Sequence, residues 1–282
     1  RDAFGNAVSG ETVTLAASGA GNTLTQPVGT TDANGEVTGS LSSTASGEKV
    51  VSATIGAVAV TQTDTVTVAP GTVSAATSTV AALPTSLTAG SGSSTITITA
   101  RDANGNVLPG ATVTLAVSGG GATLTQPAAV TDGSGVTTGS LTATTAGAKS
   151  VTATVNGVEI TQTATITVGA GAVSAANTTV SADVTTLTAG AGTSTITVTA
   201  RDANNNVITG LAVVLAATGD GNTVTQPVAV TDANGVATGT VSSTGAGSKT
   251  VSATVDGTPI TQTVGLTVTA AALSDTASRV VA

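Results

Sequence analysis

Short stretches of the chain alternate aliphatic residues with threonine or serine. Residues 94–100 read STITITA and residues 112–117 read TVTLAV, so each stretch places its aliphatic side chains on one face. A period of two is typical of a half-buried β-strand. Threonine, serine, glycine and valine are abundant throughout, and no stretch repeats its apolar residues at the 3.6-residue period of a helix. The pattern therefore predicts an all-β protein.

Residues that favour turns separate these stretches. The sequences DANGN at Asp102–Asn106 and TDGSG at Thr131–Gly135 are rich in Asp, Asn and Gly, which satisfy their own backbone or accept positive φ. Asn156-Gly157 is the strongest short hairpin signal. We expect the segment from Thr72 to Leu83, which Pro84 breaks, to be an edge strand in two pieces, and the last strand to run over residues 158–168. Seven or eight strands with turns about every 8 to 12 residues predict a two-sheet sandwich.

The pattern repeats with a period of 100 residues. The stretch RDANGNVLPGATVTLAVSGGGATLTQP begins at Arg101, and close copies begin at Arg1 and Arg201. Solenoid repeats are usually about 20 to 50 residues long, whereas about 100 residues can close a core of their own. We therefore favour tandem domains over a β-solenoid. The predicted division is a partial repeat 1 that lacks its first strands (1–70), a complete repeat 2 (71–170), a complete repeat 3 (171–270) and the start of a further repeat (271–282).

The predicted core is aliphatic. The 282 residues include no Trp, Tyr, Met or Cys and a single Phe, so neither a disulfide nor a large aromatic ring can join the two sheets. Alternation assigns eight residues to the core of repeat 2: Ile98, Val113, Leu115, Leu124, Leu141, Val151, Val155 and Ile166.

Composition argues against several functions. The net charge is −8 and only 7 residues are basic, whereas nucleic-acid binding needs clustered Lys and Arg and often stacking aromatics. An enzyme is disfavoured because no His or Cys is present and no pair of acids recurs close together in sequence. Convergence of Asp102 and Asp132 in space remains an open alternative, and no cofactor is expected.

Three successive segments of repeat 2 carry a family resemblance. They read TITARDANGNVLPGATVTLAVSGGGATL, VTDGSGVTTGSLTATTAG and KSVTATVNG, and together they resemble the bacterial immunoglobulin-like group 1 domain of invasin and intimin type adhesins. The resemblance implies tandem immunoglobulin-like Greek-key β-sandwich domains in an elongated array. It also implies a location on the bacterial cell surface, with membrane anchoring only through regions outside this sequence.

The function that we expect is a stalk or spacer that projects a distal module of a large adhesin. Two alternatives stay open: a self-associating subunit of an extracellular filament or matrix, and a weak cell-adhesion module. Binding hot spots favour Trp, Tyr and Arg, which are nearly missing here. The expected partners are adjacent repeats of the same chain and, in the filament alternative, identical chains.

Two kinds of chemical site are conceivable in the recurring polar residues. Asp102, Asn104 and Asn106, with Asp132 from the second turn, could offer oxygen ligands to calcium. However, calcium prefers six to eight oxygens, and the Glu that would close an EF-hand loop is missing. Lys149 could form an isopeptide bond with an Asp.

Structural roles for the same residues are the favoured interpretation. The Asp and Asn residues are then turn formers beside a surface Arg, and Lys149 is a charge that keeps a strand edge from pairing. Each repeat also carries a Gln in what we predict to be the last strand, where it would hydrogen-bond a neighbouring loop or the next domain. These are Gln62, Gln162 and Gln262.

Overall fold

The computed structural model describes residues 1–273, and all regular secondary structure in that range is β-strand. Repeat 1 contains β1 (Val13–Ala17), β2 (Asn22–Thr25), β3 (Ser40–Ser43), β4 (Gly47–Ile55), β5 (Val58–Ala59) and β6 (Asp64–Val68). Repeat 2 contains β7 (Thr79–Leu83), β8 (Ser86–Thr88), β9 (Ser94–Thr99), β10 (Val113–Ser118), β11 (Ala122–Thr125), β12 (Val136–Ala143), β13 (Gly147–Val155), β14 (Val158–Glu159) and β15 (Ala164–Gly169). Repeat 3 contains β16 (Thr179–Ala182), β17 (Thr186–Thr188), β18 (Ser194–Thr199), β19 (Val213–Ala217), β20 (Asn222–Thr225), β21 (Val236–Ser243), β22 (Gly247–Val255), β23 (Thr258–Pro259) and β24 (Val264–Thr269).

Repeat 2 is a sandwich of two sheets. One sheet has the strand order β11-β12-β9-β7, and the other has the order β10-β13-β15-β8 with β14 paired to β13. All pairs are antiparallel except β8 with β15. The chain crosses between the two sheets from β9 to β10, from β10 to β11 and from β12 to β13, so the repeat has the predicted immunoglobulin-like architecture.

Repeat 3 has the same topology and register. Its sheets have the orders β16-β18-β21-β20 and β17-β24-β22-β19. Leu215 pairs with Ala253 just as Leu115 pairs with Ala153. No strand pair among the described residues joins one repeat to another, so each repeat forms its own sheets.

Repeat 1 forms fewer strands within residues 1–70. β1, β4 and β6 make one sheet with β5 at its side, and β2 and β3 make a two-stranded second sheet. Nothing in these 70 residues corresponds to β7, β8 and β9 of repeat 2. An open cleft lies where those strands would pack, and Leu15, Ala53 and Ile55 line part of it.

The core prediction is confirmed in repeat 2. Six of the eight predicted side chains are buried, and Val113 and Leu124 are half-buried against the same cluster. The cluster also includes Val80, Ile96, Ile160 and Val168, which we did not single out. Aliphatic side chains of moderate size therefore fill the space between the sheets.

Two strand predictions need correction. Pro84 does separate two strands, but the first begins only at Thr79, and the two join different sheets rather than one edge. The stretch 158–168, predicted as one strand, is two strands separated by residues 160–163. These splits raise the number of strands in repeat 2 to nine.

The hairpin at Asn156-Gly157 is confirmed. Both residues have positive φ, 47° and 82°, and Val155 pairs directly with Val158 across the turn. Two positive values of φ define the type I′ turn that suits the twist of a two-residue hairpin. The predicted start of a further repeat at 271–282 lies mostly outside the described residues.

Candidate functional site: the junctions between repeats

The loop Asp102–Asn106 is organised around one carboxylate. Oδ1 of Asp102 accepts hydrogen bonds from the backbone N–H groups of Asn104 and Asn106, both at 2.9 Å. Oδ2 accepts hydrogen bonds from Nδ2 of Asn106 and from the N–H of Gly71, both at 2.8 Å. The predicted Asx-type turn is therefore confirmed.

The same loop forms in all three repeats, and we name Asp2–Asn6, Asp102–Asn106 and Asp202–Asn206 the junction loops. In each of them, the first Asp accepts hydrogen bonds from the backbone of the residues two and four positions later, and from the final Asn side chain. The preceding Arg donates from Nη1 to a carbonyl of its own loop, as the contact of 2.7 Å from Arg101 to Gly105 shows. The recurring Arg thus braces the loop.

The junction loop of repeat 2 also contacts repeat 1. Nδ2 of Asn106 donates to the carbonyl of Thr44 at 2.9 Å, and Oδ1 of Asn106 accepts from the N–H of Ser46 at 2.9 Å. These two residues lie in the turn between β3 and β4. We name this turn and its equivalents the receiving turns, which span Thr44–Ser46, Thr144–Ala146 and Thr244–Ala246.

The second junction repeats this geometry. Nδ2 of Asn206 donates to the carbonyl of Thr144 at 2.9 Å, and Oδ1 of Asn206 accepts from the N–H of Ala146 at 2.8 Å. The linker is held in the same way at both junctions, because the N–H of Gly171 donates to Oδ2 of Asp202 at 2.8 Å as that of Gly71 does to Asp102. One carboxylate therefore fixes both the junction loop and the linker.

The junction carboxylates remain charged despite their burial. Asp102 and Asp202 are 2% and 1% exposed. Burial works to raise the pKa of Asp102, but hydrogen bonds from the Asn106 side chain and from the backbone of Gly71, Asn106 and Asn104 outweigh it, so the pKa lies below its usual value. The equivalent donors lower the pKa of Asp202 against the same effect of burial.

The two junctions differ in their extent. In the second junction, Asn204 packs against Gly90 of repeat 2, where an added β-carbon would lie 2.5 Å from Nδ2 of Asn204. Residues 1–70 have no strands corresponding to β8 and β9, whose connection carries Gly90. Accordingly Asn206 is buried whereas Asn106 is half-buried.

The four calcium candidates lie in two turns: Asp102, Asn104 and Asn106 belong to one junction loop, and Asp132 belongs to a different turn. The carboxylate of Asp102 receives four N–H donors, which is about the number of its lone-pair positions. Asp132 is exposed, and its Oδ1 accepts hydrogen bonds from Ser134 and Val136 within its own turn. Among residues 1–273, no three His, Cys, Asp or Glu side chains gather as a metal-binding group. Calcium binding would require the junction bonds of Asp102 to break.

The prediction for Lys149 was wrong. β13 has partners on both sides, so Lys149 does not lie on a sheet edge. Its side chain is 2% exposed, and Nζ donates to the carbonyl of Gly120 at 2.8 Å. Lys49 and Lys249 make the equivalent contact with Ala20 and Asp220. Each lysine therefore holds the turn between two strands at the end of its sandwich.

The glutamine prediction also needs correction. Gln162 lies in the loop between β14 and β15, and its Oε1 accepts a hydrogen bond from the N–H of Val80 in the edge strand β7 at 3.2 Å. Its partner is thus a strand of its own repeat rather than a loop or the next domain.

A second glutamine escaped the sequence analysis. Oε1 of Gln126 accepts from the N–H of Leu115 at 2.7 Å, and Nε2 donates to the carbonyl of Leu115 at 2.9 Å. Gln26 and Gln226 do the same with Leu15 and Leu215. Because β10 is an edge strand, this side chain occupies backbone groups that another strand could pair with. The triplet TQP, present in every repeat, was the available signal.

Comparison with known protein families supports the immunoglobulin-like fold. The profile of the bacterial Ig-like domain (group 1) family matches residues 1–69 and 175–269, which is more than half of the chain. The chain belongs to the bacterial Ig-like domain (group 1) family. The profile of invasin domain 3 matches residues 74–171, a stretch that lies almost wholly within repeat 2.

Solved structures of adhesins resemble this group 1 Ig-like chain. The Escherichia coli adhesin FdeC is 29% identical with a TM-score of 0.58, and the match covers 95% of this chain and 90% of that one. Yersinia pseudotuberculosis InvD is 30% identical with a TM-score of 0.53, over 73% of this chain and 61% of that one. Invasin, an integrin-binding protein, shares the fold at 24% identity and a TM-score of 0.58, over 96% and 55% of the two chains.

No curated protein matched the sequence. In the part of the chain that the structure describes, no helix is long and apolar enough to cross a membrane.

Proposed function

We propose that this chain is a spacer segment in the stalk of a bacterial surface adhesin, where it holds a distal module away from the cell. The observation that carries the proposal is the repeated junction, in which one asparagine side chain makes two hydrogen bonds to the preceding repeat. Relative motion is the usual expectation for domains joined by linkers, and such contacts restrict it. Membership of the group 1 family and the resemblance to adhesins support the surface location.

The surface area of the chain supports an elongated shape. Its solvent-accessible area is 15107 Å² for a mass of 26.2 kDa. A compact monomer of that mass would expose about 10,600 Å². Repeats arranged in a row bury little surface against one another, and the open cleft of repeat 1 adds to the exposed area.

The capped strand edges of repeat 2 favour a spacer over a self-associating filament subunit. Gln126 pairs with both backbone groups of Leu115 on the edge strand β10, and Gln162 accepts the N–H of Val80 on the edge strand β7. Edge-to-edge pairing of chains needs these backbone groups. The other edge strands, β8, β11 and β14, are three, four and two residues long, and such short edges offer little to pair with.

We also infer that the segment is not an enzyme. The chain has no His or Cys, and the recurring acids are engaged in turns and junctions as hydrogen-bond acceptors. A spacer needs rigid repeats and inert surfaces rather than catalytic groups.

Small-angle X-ray scattering on the 282-residue chain tests the proposal. With strands of nine residues, each repeat would be about 30 to 40 Å long, so three in a row would give a radius of gyration of about 30 Å. A compact chain of this length would give about 19 Å. The expected result is the larger value, independent of concentration. A compact particle, or fibres that grow with concentration, would overturn the spacer proposal, and fibres would favour the filament subunit.

A further inference from the structure

We infer that Asn106 and Asn206 are positioning residues that set the orientation of each repeat on the preceding one. In both junctions the same side-chain amide donates to one carbonyl of the receiving turn and accepts one N–H two residues later. The inference deepens the proposed spacer function and rests on it for its biological meaning.

The geometry of the contact restricts rotation. An amide group is planar, and its donor and acceptor point in fixed directions. Asn206 therefore meets Thr144 and Ala146 much as a neighbouring strand would, and both bonds hold only when the two repeats face each other correctly. Two hydrogen bonds in fixed directions restrict rotation about the junction more than a single bond would.

The asparagine is held in place before it docks. Nδ2 of Asn206 also donates to Oδ2 of Asp202 at 2.8 Å, within the same loop. Asn6 makes the equivalent bond to Asp2 at 2.9 Å in repeat 1, where no described residue precedes the loop as a partner. The loop has the same form with and without a receiving turn. It therefore loses little conformational freedom when it docks.

Burial makes partial opening unfavourable. Asn206 and Asp202 are 8% and 1% exposed, and opening the junction would leave buried polar groups without their partners unless water replaced them. The linker is bound into the same group through the N–H of Gly171. The junction therefore has one well-defined closed arrangement.

Linker stiffness alone does not account for this arrangement. The first linker reads Ala69-Pro70-Gly71 and the second reads Gly169-Ala170-Gly171, so only the first contains a proline. Both junctions nonetheless show the same asparagine contacts and the same bond from the linker glycine. The shared element is the junction loop.

Distance measurements between spin labels test the inference. The natural chain has no Cys, so Thr125→Cys and Thr225→Cys, both at exposed positions, would carry the only labels on repeats 2 and 3. Pulsed dipolar spectroscopy should give a narrow distance distribution with Asn206 in place. Asn206→Ala should broaden it about twofold, because the repeats then move as independently linked domains. Circular dichroism should show that the strands of the variant remain folded.

Two matched controls separate orientation from folding. Asn6→Ala removes the equivalent bond in a loop without a receiving turn, so the distance distribution should not change. Ala146→Pro removes the N–H that Asn206 accepts and leaves the junction loop intact, so it should broaden the distribution. Ala246→Pro makes the same change in repeat 3, outside the labelled junction, and should leave the distribution narrow.

The result that overturns the inference is an unchanged distribution in folded Asn206→Ala. Equal broadening in the Asn6→Ala or Ala246→Pro controls would also overturn it, because the effect would then not arise at the junction. If Asn206→Ala does not fold, Ala146→Pro decides by the same criterion. A rod that stays rigid without Asn206 could still be a spacer, so the spacer proposal and this inference fail on different results.

Discussion

Repeats 1 and 2 share most of their residues between the junction loop and the last strand, yet only repeat 2 closes its core. Leu115 and Val151 are buried, whereas the equivalent Leu15 and Val51 are half-buried. Ile166 is fully buried, and Val66 at the same place is 43% exposed. The difference is the β7–β9 segment of repeat 2, which adds β7 and β9 to one sheet of the sandwich and β8 to the other.

Some features do not depend on that segment. Lys49 is as buried as Lys149 and binds the same turn, and Gln26 pairs with Leu15 just as Gln126 pairs with Leu115. Polar contacts within and beside the hairpins are thus local properties of the repeat. Closing the apolar core, in contrast, requires the β7–β9 segment. Experiments can therefore separate the local polar contacts from the closed core.

The largest expected effect is a difference between two equivalent substitutions. Leu115→Ala should reduce the free energy of unfolding of repeat 2 by about 2 to 5 kcal/mol, because it leaves a cavity in a closed core. Leu15→Ala should cost repeat 1 about 1 kcal/mol, because Leu15 is already partly in water. Hydrogen exchange resolved by residue would measure both values in the whole chain. Equal losses in the two repeats would contradict the comparison.

A peptide should partly remove the difference between the repeats. A synthetic copy of residues 72–101, which contain β7, β8 and β9, should add strands to the open face of repeat 1. At a free concentration of about 100 times its dissociation constant, the peptide should stabilise repeat 1 by about 2.7 kcal/mol.

Slower amide exchange at Val51 and Ala53 would report binding of that peptide. The control peptide carries Ile96→Asp and Ile98→Asp, which place charges at positions that are fully buried in repeat 2. Protection by the control peptide to the same degree would show that the contact is not the predicted packing.

Acid should loosen the junctions. The pKa of Asp102 is lowered in the folded chain, so its carboxylate stabilises the junction above the unfolded pKa of about 4. That contribution is lost as the pH falls through the lower pKa of the folded state. NMR signals of the Asn106 side-chain amide and the Gly71 N–H should therefore shift in that acid range.

Asp2 provides the comparison for the acid titration. Its pKa is also lowered, mainly by the Asn6 side chain, but Asp2 is exposed and contacts no linker among the described residues. Protonation of Asp2 should therefore perturb only its own loop. A titration in which the Gly71 signal follows Asp2, or still moves in Asp102→Asn, would contradict the assignment.

The smallest expected effect concerns one backbone position. Asn205 has a φ of 67°, where the other two junction loops have Gly5 and Gly105. Asn205→Ala should cost repeat 3 about 1 kcal/mol, because a residue without a compensating polar side chain is strained at positive φ. Asn205→Gly should change stability by less than about 0.5 kcal/mol. Chemical unfolding of repeat 3 checks both, and a stabilising Asn205→Ala would contradict the explanation.

Alternation in the sequence was enough to predict the strands and most of the core. Residues 94–100 and 112–117 form β9 and most of β10, and all eight predicted core residues belong to the buried cluster or pack against it. Turn chemistry identified the junction loop and the Asn156-Gly157 hairpin. These signals depend on residues close together in the chain, which is why a single sequence contains them.

Other features depend on contacts that a sequence does not reveal. Asn106 donates a hydrogen bond to the carbonyl of Thr44, which lies 62 residues earlier in the sequence, and nothing near Asn106 indicates that partner. The sequence marks Pro84 as a break, but which sheet each half joins depends on β15, about 80 residues later. For Lys149 a local signal existed, because its position has the same parity as Val151 and Val155 on β13. The usual exposure of lysine outweighed that signal in our prediction.

Each repeat carries a docking loop at one end and the turn that accepts such a loop at the other. Asp202–Asn206 and Thr244–Ala246 belong to the same hundred residues, and so do Asp102–Asn106 and Thr144–Ala146. An in-frame duplication of one unit in the gene would therefore supply both halves of a new joint at once. Such a chain can change its reach in steps of a whole unit during evolution without any new surface having to arise.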